Sequence, residues 1–161
     1  MTGRRIRIRS GNIGDLDSLV DLETRGFTSD RFDRSQFRYL LTRARADILV
    51  AEISGRIAGA AIMLWRDKTR SGRLYNIVID PSFQKQGIGK RLIGACESEA
   101  VRLGRDRVTL EVRTDNKNAI SFYRKHGYKI ERTLPGYYAD GVSALRMKKD
   151  LQPGVSDPGG K

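Results

Sequence analysis

Several short segments rich in apolar residues predict β-strands, and in residues 6–9 and 108–113 the apolar residues alternate with polar ones. The segments are residues 6–9, 47–54, 57–65, 74–80, 108–113, 128–134 and 142–149. Gly55 and Arg56, between the second and third segments, predict a two-residue hairpin that begins with glycine. Pro81 ends the fourth segment, because proline has no N–H for a sheet ladder. In residues 108–113 the apolar side chains point to one face, and Glu111 and its polar neighbours point to the other.

Apolar residues recur at helical spacing in four further segments. Asn12 or Asp15 caps the first predicted helix. The third begins near Gly87 and ends at Gly104, and the fourth covers residues 116–126. The apolar positions of the first three helices are Leu16, Leu19, Val20 and Leu22; Phe37, Leu40, Leu41 and Ala44; and Leu92, Cys96, Ala100 and Leu103. Strands and helices in this order predict an α/β fold.

The loop between the fourth strand and the third helix has the features of an anion site. A strand, a helix and a further strand in one sheet place the two strands parallel, with the loop at the carboxyl end where such sheets bind ligands. Gly87 and Gly89 allow the backbone to approach an anion closely, and the unpaired N–H groups of the first helical turn suit phosphate. Lys85, Lys90 and Arg91 add positive charge. The alternative is that the glycines serve only packing.

Two common phosphate-binding loops are excluded by the residues around these glycines. A Walker A loop requires glycine at the position of Gln84 and Ser or Thr at that of Arg91. The dinucleotide-binding motif requires a third glycine where Leu92 stands. The sequence therefore argues against an ATPase and against a Rossmann dehydrogenase.

Length and composition predict one cytoplasmic domain. The chain has 161 residues, 39% hydrophobic and 31% charged, which predicts a single domain over residues 1–151 and a flexible tail over residues 152–161. The longest apolar stretch, residues 57–65, is too short to span a membrane, and no export signal is recognised. One cysteine and one histidine exclude a disulfide framework and a Cys/His zinc site, and we expect no metal. Cys96 is expected in the core and His126 at a helix end.

Positive charge is the strongest feature of the composition. The chain carries 31 Lys and Arg and 19 Asp and Glu, a net charge of +12, which attracts polyanions. The basic residues are spread along the chain with acids between them, as is typical of a solvated surface. We therefore do not expect nucleic acid as the ligand. The charge disfavours cationic substrates and is compatible with a ribosomal or acidic protein partner.

Residues 84–89, Gln-Lys-Gln-Gly-Ile-Gly, fit the pattern Gln or Arg, two residues, Gly, one residue, Gly or Ala. This segment resembles the acyl-CoA binding motif of the GCN5-related N-acetyltransferase (GNAT) superfamily. Residues 75–81, 110–116, 119–128 and 136–141 resemble its RimI and Ard1 branch, which acetylates the N-terminal amines of proteins. The resemblance implies acetyl-CoA as cosubstrate and the GNAT fold, a mixed, mostly antiparallel sheet with a central parallel strand pair flanked by helices.

The resemblance implies the donor-binding residues position by position. The backbone of Ile77, Val78 and Ile79 would pair with the pantetheine arm of CoA. Main-chain N–H groups over the motif would hold the diphosphate, namely those of Lys85, Gln86, Gly87, Ile88, Gly89 and Lys90. Asn116 would contact the pantetheine, and its position also suits a helix N-cap.

The resemblance also implies residues for catalysis and acceptor binding. Glu111 matches the branch's general base and Tyr123 its general acid. The alternatives are a surface carboxylate on a strand and a core aromatic on a helix. Tyr137 and Tyr138 would form one wall of the acceptor site, or they only stabilise a hairpin.

The implied reaction moves an acetyl group from acetyl-CoA to a primary amine by direct attack, with a protein N-terminal α-amine as the expected acceptor, ribosomal proteins included. An α-amine with a pKa near 8 is roughly 10% neutral at pH 7, whereas a lysine amine is below about 0.1% neutral. The alternatives are a small-molecule amine acetyltransferase and a non-catalytic module that binds CoA or nucleic acid. Residues 26–32 lack the proline typical of the branch, which leaves the acceptor open. The chain is expected to be a monomer or a homodimer.

Overall fold

The structure, a computed structural model, describes residues 5–26, 32–42 and 45–151. The strands and helices in these ranges are β1 (Ile6–Ser10), α1 (Leu16–Gly26), α2 (Arg34–Thr42), β2 (Ala46–Ile53), β3 (Arg56–Trp65), β4 (Ser71–Ile79), α3 (Ile88–Arg102), β5 (Arg107–Arg113), α4 (Lys117–Lys125), β6 (Lys129–Leu134) and β7 (Ala144–Asp150). The predicted tail, Ala44 and most of the loop at residues 26–32 lie outside the described residues.

The strands form a seven-stranded mixed sheet in the order β1-β2-β3-β4-β5-β7-β6. β4 and β5 run parallel, with Ser71–Arg73 opposite Arg107–Thr109. β2 pairs antiparallel with β1 and β3, and β7 pairs antiparallel with β5 and β6. The predicted α/β fold with a parallel strand pair in a mostly antiparallel sheet is confirmed. β4 begins three residues before the predicted strand, because its pairing with β5 starts at Ser71.

The described residues fall into two compact units. The first contains the described residues up to Arg66 together with Leu74–Ser98. Its core joins α1 and α2 to the sheet through buried apolar side chains, which are Leu16, Leu19, Leu22, Phe37, Ile48, Val50, Ala60, Ile62 and Val78. The helical spacing that predicted α1 therefore marks the face that packs on the sheet.

The second unit contains Asp67–Arg73 and the described residues from Glu99 onward. In β5 the buried residues alternate as predicted, because Val108, Leu110 and Val112 face the core. Leu110 lies opposite the fully buried Met147 of β7. That a single domain covers residues 1–151 stays a prediction.

Two local predictions are wrong and two are confirmed. The β2–β3 hairpin turns at Ser54 and Gly55, one residue earlier than predicted, and both have positive φ (52° and 79°), as a type I′ turn requires. Leu103 is 40% exposed, because α3 ends one residue before it. Cys96 is fully buried, and His126 caps the end of α4 with Nδ1 2.8 Å from the carbonyl oxygen of Phe122.

A bidentate ion pair fixes the start of α1. Asn12 caps the 3-10 turn that leads into the helix, and its backbone N–H donates to Asp15 Oδ2 at 2.8 Å. Both Asp15 oxygens also accept from the Arg9 guanidinium, at 2.9 Å each. The hydrogen bond from Arg9 lowers the pKa of Asp15 below its ordinary value of 3.8.

Gly26 is expected to be intolerant of substitution, because an added Cβ would overlap the Cγ2 atom of Val78 in the core. We expect Gly26→Ala to lower the free energy of unfolding by about 1–3 kcal/mol. Gly94→Ala, in the exposed part of α3 where nothing lies within 4 Å, should instead raise it by about 0.5–1 kcal/mol. Urea denaturation gives the free energy of unfolding of both variants. Equal changes in the two variants would contradict the close approach of α1 to β4.

Asp15→Asn is expected to destabilise the protein by about 1–3 kcal/mol at neutral pH. A carboxyl whose folded-state pKa is lowered stabilises the fold above its unfolded-state pKa, and loses that effect as the pH falls through the folded value. The difference between wild type and variant should therefore shrink below about pH 3.8. Denaturation curves from pH 7 to pH 2 test this. Glu131→Gln is the control, because that side chain is exposed on β6.

Candidate active site

A buried carboxylate held by two arginines lies in the second unit. Glu111 is on the face of β5 opposite the core, yet its side chain is only 4% exposed. Arg73 Nε of β4 donates to Oε1 at 2.9 Å, and Arg146 Nε of β7 donates to Oε2 at 3.0 Å. A charge out of water is stable only when it is paired, and these arginines supply both partners. The alternative of a surface carboxylate at Glu111 is therefore wrong.

The hairpin between β6 and β7 contacts this cluster through Tyr137. The Tyr137 hydroxyl oxygen lies 3.1 Å from Arg73 Nη2, and its ring meets that of Tyr138 edge to face at 5.0 Å. Arg113 lies 5.0 Å from the Tyr138 ring centre and donates to Asp140 at 2.7 Å. The guanidinium holds the pKa of Asp140 below its usual range. These contacts show the hairpin-stabilising role, and the acceptor-site role stays a prediction.

Helix α4 carries two further predicted residues. Asn116 is its N-cap, with the side-chain oxygen accepting from Ala119 N at 3.1 Å. The Tyr123 ring is 5.4 Å from Phe122 and 5.8 Å from Tyr128, centre to centre. Tyr123 is partly exposed, so it is not a fully buried core aromatic. The pantetheine role of Asn116 and the acid role of Tyr123 stay predictions.

The predicted anion loop lies in the first unit and leads into α3, which begins at Ile88. Lys85 and Gly87 have positive φ, 64° and 79°, and turn the backbone into the helix. The helix hydrogen-bonding ladder starts with Arg91 N donating to Gly87 O at 3.2 Å. The amides of residues 88–90 precede that bond and lie at the positive end of the helix dipole, an arrangement that suits a diphosphate.

Asp80 holds the strand end before this loop, a role that the sequence analysis missed. It is 2% exposed, and its Oδ1 accepts from Ser82 N at 2.9 Å. Its Oδ2 accepts from Arg25 Nη2 of α1 at 2.8 Å, and its own N–H donates to Ala58 O at 2.8 Å. An aspartate directly before Pro81 was the available signal, since such a pair is typical of a capped turn.

The predicted site residues divide between the two units. The first unit contains Ile77, Val78, Ile79, Lys85, Gln86, Gly87, Ile88, Gly89 and Lys90, and the second contains Glu111, Asn116, Tyr123, Tyr137 and Tyr138. Arg73 brings Glu111 and Tyr137 together. Arg73 and Arg146 were also missed. Glu111 on an interior strand was the available signal, because a carboxylate there needs cationic neighbours.

In the part of the chain that the structure describes, no three His, Cys, Asp or Glu side chains are grouped to hold a metal ion. The same residues contain no helix long and apolar enough to cross a membrane.

A parallel strand pair, a positive-φ loop and a helix amino terminus define the class of α/β proteins that bind phosphorylated ligands at a strand end. The family model of the acetyltransferase (GNAT) family matches residues 16–128. The chain belongs to this family and is an acetyl-CoA-dependent N-acetyltransferase. The resemblance seen in residues 84–89 is confirmed.

Three similar proteins illustrate the relationship. An uncharacterized N-acetyltransferase of Methanocaldococcus jannaschii is 30% identical over 157 residues, 89% of this chain, and the chain spans 66% of that protein's length. The crystal structure of the ribosomal-protein-S18-alanine N-acetyltransferase (RimI) of Escherichia coli has a TM-score of 0.82 and 26% identity, covering 92% of this chain and 95% of that one. Ard1 of Thermoplasma volcanium has a TM-score of 0.82 and 27% identity, covering 91% and 98%.

Gly87→Ala is expected to weaken CoA binding, because an L side chain rarely adopts the φ of 79° found there. The shifted amides should raise the Kd for CoA about tenfold, and titration calorimetry measures it. Gly94→Ala in the same helix is the control and should leave the Kd unchanged. Unaltered CoA affinity in a folded Gly87→Ala protein would contradict the role of this loop.

Proposed function

We propose that the protein acetylates the N-terminal α-amine of a protein or peptide. The observation that carries the proposal is the oriented, buried carboxylate of Glu111 on the polar face of β5. The similar enzyme of Escherichia coli is a ribosomal-protein-S18-alanine N-acetyltransferase, which supports a protein N-terminus as the acceptor. A ribosomal protein is therefore a natural first substrate to test.

The α-amine is the better nucleophile for an enzyme of this kind at neutral pH. Its pKa near 8 leaves roughly a tenth of the groups neutral at pH 7, whereas a lysine side chain is almost wholly protonated. The difference in the free energy of deprotonation is about 3 kcal/mol. An enzyme that acts on the α-amine therefore needs a weaker general base than one that acts on a lysine side chain.

Glu111 is proposed to take the proton from the amine, directly or through water. The ion pairs with Arg73 and Arg146 hold its side chain in one orientation. Arg146 contacts Oε2 through both Nε and Nη2, at 3.0 and 2.8 Å. Because each carboxylate oxygen has two acceptor sites, Oε1 is the oxygen proposed to receive the proton. The two guanidiniums also disfavour a protonated amine nearby, because like charges repel.

The remaining steps are assigned by the family resemblance. The amine nitrogen attacks the thioester carbon, a C–N bond forms, the C–S bond breaks, and the CoA thiolate takes a proton from the Tyr123 hydroxyl. A main-chain N–H near Ile79 would stabilise the oxyanion. The backbone of residues 77–79 and Asn116 would hold the pantetheine, and the amides of residues 85–90 the diphosphate.

Glu111→Gln is expected to lower kcat by about 10²- to 10⁴-fold, the range of general-base catalysis, with the Kd for CoA unchanged. Tyr123→Phe should slow turnover in the same way while keeping the aromatic contacts of α4. Thiol release from acetyl-CoA with a peptide acceptor measures both. Glu131→Gln, at an exposed position on β6, is the matched control.

The same assay discriminates between acceptors. Faster turnover with N-terminal peptides than with N-terminally blocked lysine peptides or small amines supports the proposal. Turnover with small amines alone would make the protein a small-molecule acetyltransferase. Normal rates in folded Glu111→Gln and Tyr123→Phe proteins would remove both assigned roles.

A further inference from the structure

Charged side chains form a row across four neighbouring strands, at positions that all belong to the second unit. Arg146 of β7 lies directly opposite Glu111 of β5 on one side and Arg132 of β6 on the other. Residues directly opposite in an antiparallel pair project from the same face. Arg73 of β4 bonds to Glu111 and completes what we call the arginine row: Arg73, Glu111, Arg146 and Arg132.

The arginine row is not electrically balanced. Three guanidiniums and one carboxylate give it a net charge of +2. Glu111 pairs with Arg73 and Arg146, but within residues 5–26, 32–42 and 45–151 no carboxylate lies within ion-pair distance of Arg132. Arg132 and Arg146 are directly opposed like charges, which destabilises a strand pair. A bound anion would relieve that repulsion.

The row is accessible and has the chemistry of carboxylate recognition. The Arg73 and Arg146 side chains are 27% and 32% exposed, and Arg132 is exposed on the edge strand. Tyr137, which is 44% exposed, places its hydroxyl beside Arg73. A guanidinium presents parallel N–H donors in a planar fork that matches a carboxylate.

We propose that the arginine row binds an acidic side chain near the amino terminus of the acceptor, at its second or third residue. This inference rests on the proposed function, in which Glu111 receives the proton of the α-amine. Neighbouring strands are about 4.8 Å apart, so Arg146 and Arg132 lie about 5 and 10 Å across the sheet from Glu111. An extended peptide advances about 3.3 Å per residue, so its second and third residues lie about 3 and 7 Å beyond the first, and the long side chains of Arg146 and Arg132 can span the remaining distance to an acidic group there.

The observations favour an acidic peptide over nucleic acid. Glu111 is part of the row and would repel a run of phosphates, whereas one carboxylate can be held between Arg146 and Arg132. Affinity for nucleic acid usually requires several phosphate contacts along a continuous basic surface. The row offers only one arginine without a carboxylate partner in the described part of the chain.

Matched peptides provide the test. Peptides that begin Ala-Asp and Ala-Ser-Asp are compared with the same peptides carrying Asn for Asp, with acetyl-CoA and the full-length protein. We expect kcat/KM to be about 1.5- to fivefold higher for at least one acidic peptide, the range of a partly exposed charge pair. The preference should fall as salt is raised from 50 to 500 mM.

Variants of Arg132 test whether the preference for acidic peptides depends on the arginine row. Arg132→Gln should bring the acidic-to-neutral ratio of kcat/KM close to one, and Arg132→Lys, which retains the charge, should keep most of it. Arg124→Gln is the matched control, because Arg124 is an exposed arginine on α4, outside the row. A full preference in Arg132→Gln would overturn the assignment.

The outcomes separate this inference from the proposed function. Acetylation of acidic and neutral peptides at equal rates would overturn the inference and leave the proposed function intact. No acetylation of any peptide would overturn the proposed function, and the inference with it. Equal rates together with binding of a 12-nucleotide RNA that Arg132→Gln weakens would make the row a nucleic-acid surface, and would also overturn the inference.

Discussion

The pairing of the Glu111 carboxylate with two arginines is the interaction on which the candidate site depends. A carboxylate that is 4% exposed cannot remain charged without partners, and Arg73 and Arg146 supply them from the strands on either side. Because removal of either arginine would leave a buried carboxylate with fewer partners, the two ion pairs also stabilise the contacts of β5 with β4 and β7. The Glu111 carboxylate, which is the proposed general base, therefore also connects β5 to β4 and β7.

The loop predicted to bind the donor depends on a different constraint, the geometry of the chain between β4 and α3. The buried Asp80 caps the turn after β4 and is held by Arg25. Positive φ values at Lys85 and Gly87 then turn the backbone so that the helix starts at Ile88. The main-chain amides of the first helical turn are presented at that helix start. This suits a cosubstrate whose diphosphate is the same in every acyl-CoA.

Donor and acceptor recognition differ in how far they can vary. The donor is proposed to be held by backbone amides, which every residue in the loop shares, whereas acceptor binding is proposed to use exposed side chains such as Arg132 and Tyr137. The family membership accordingly follows from the loop and the strand order, and acceptor choice is expected to follow from the row. The net charge of +12 is compatible with an acidic acceptor, and the row is a specific place where that charge would act.

The sequence alone determined the local features of this protein. The alternation in residues 108–113 predicted which side chains of β5 are buried, and Asn116 and Gly87 predicted the start of α4 and of α3, because caps and periodicity are local properties. Sequence also misplaced the β2–β3 turn by one residue, since Ser54 adopts a positive φ that glycine usually supplies. Only the tertiary structure decided the partners of Glu111, because Arg73 and Arg146 are 38 and 35 residues away in the chain. Their contact depends on β7 lying beside β5, and strand order in a sheet is set by long-range packing that no local pattern records.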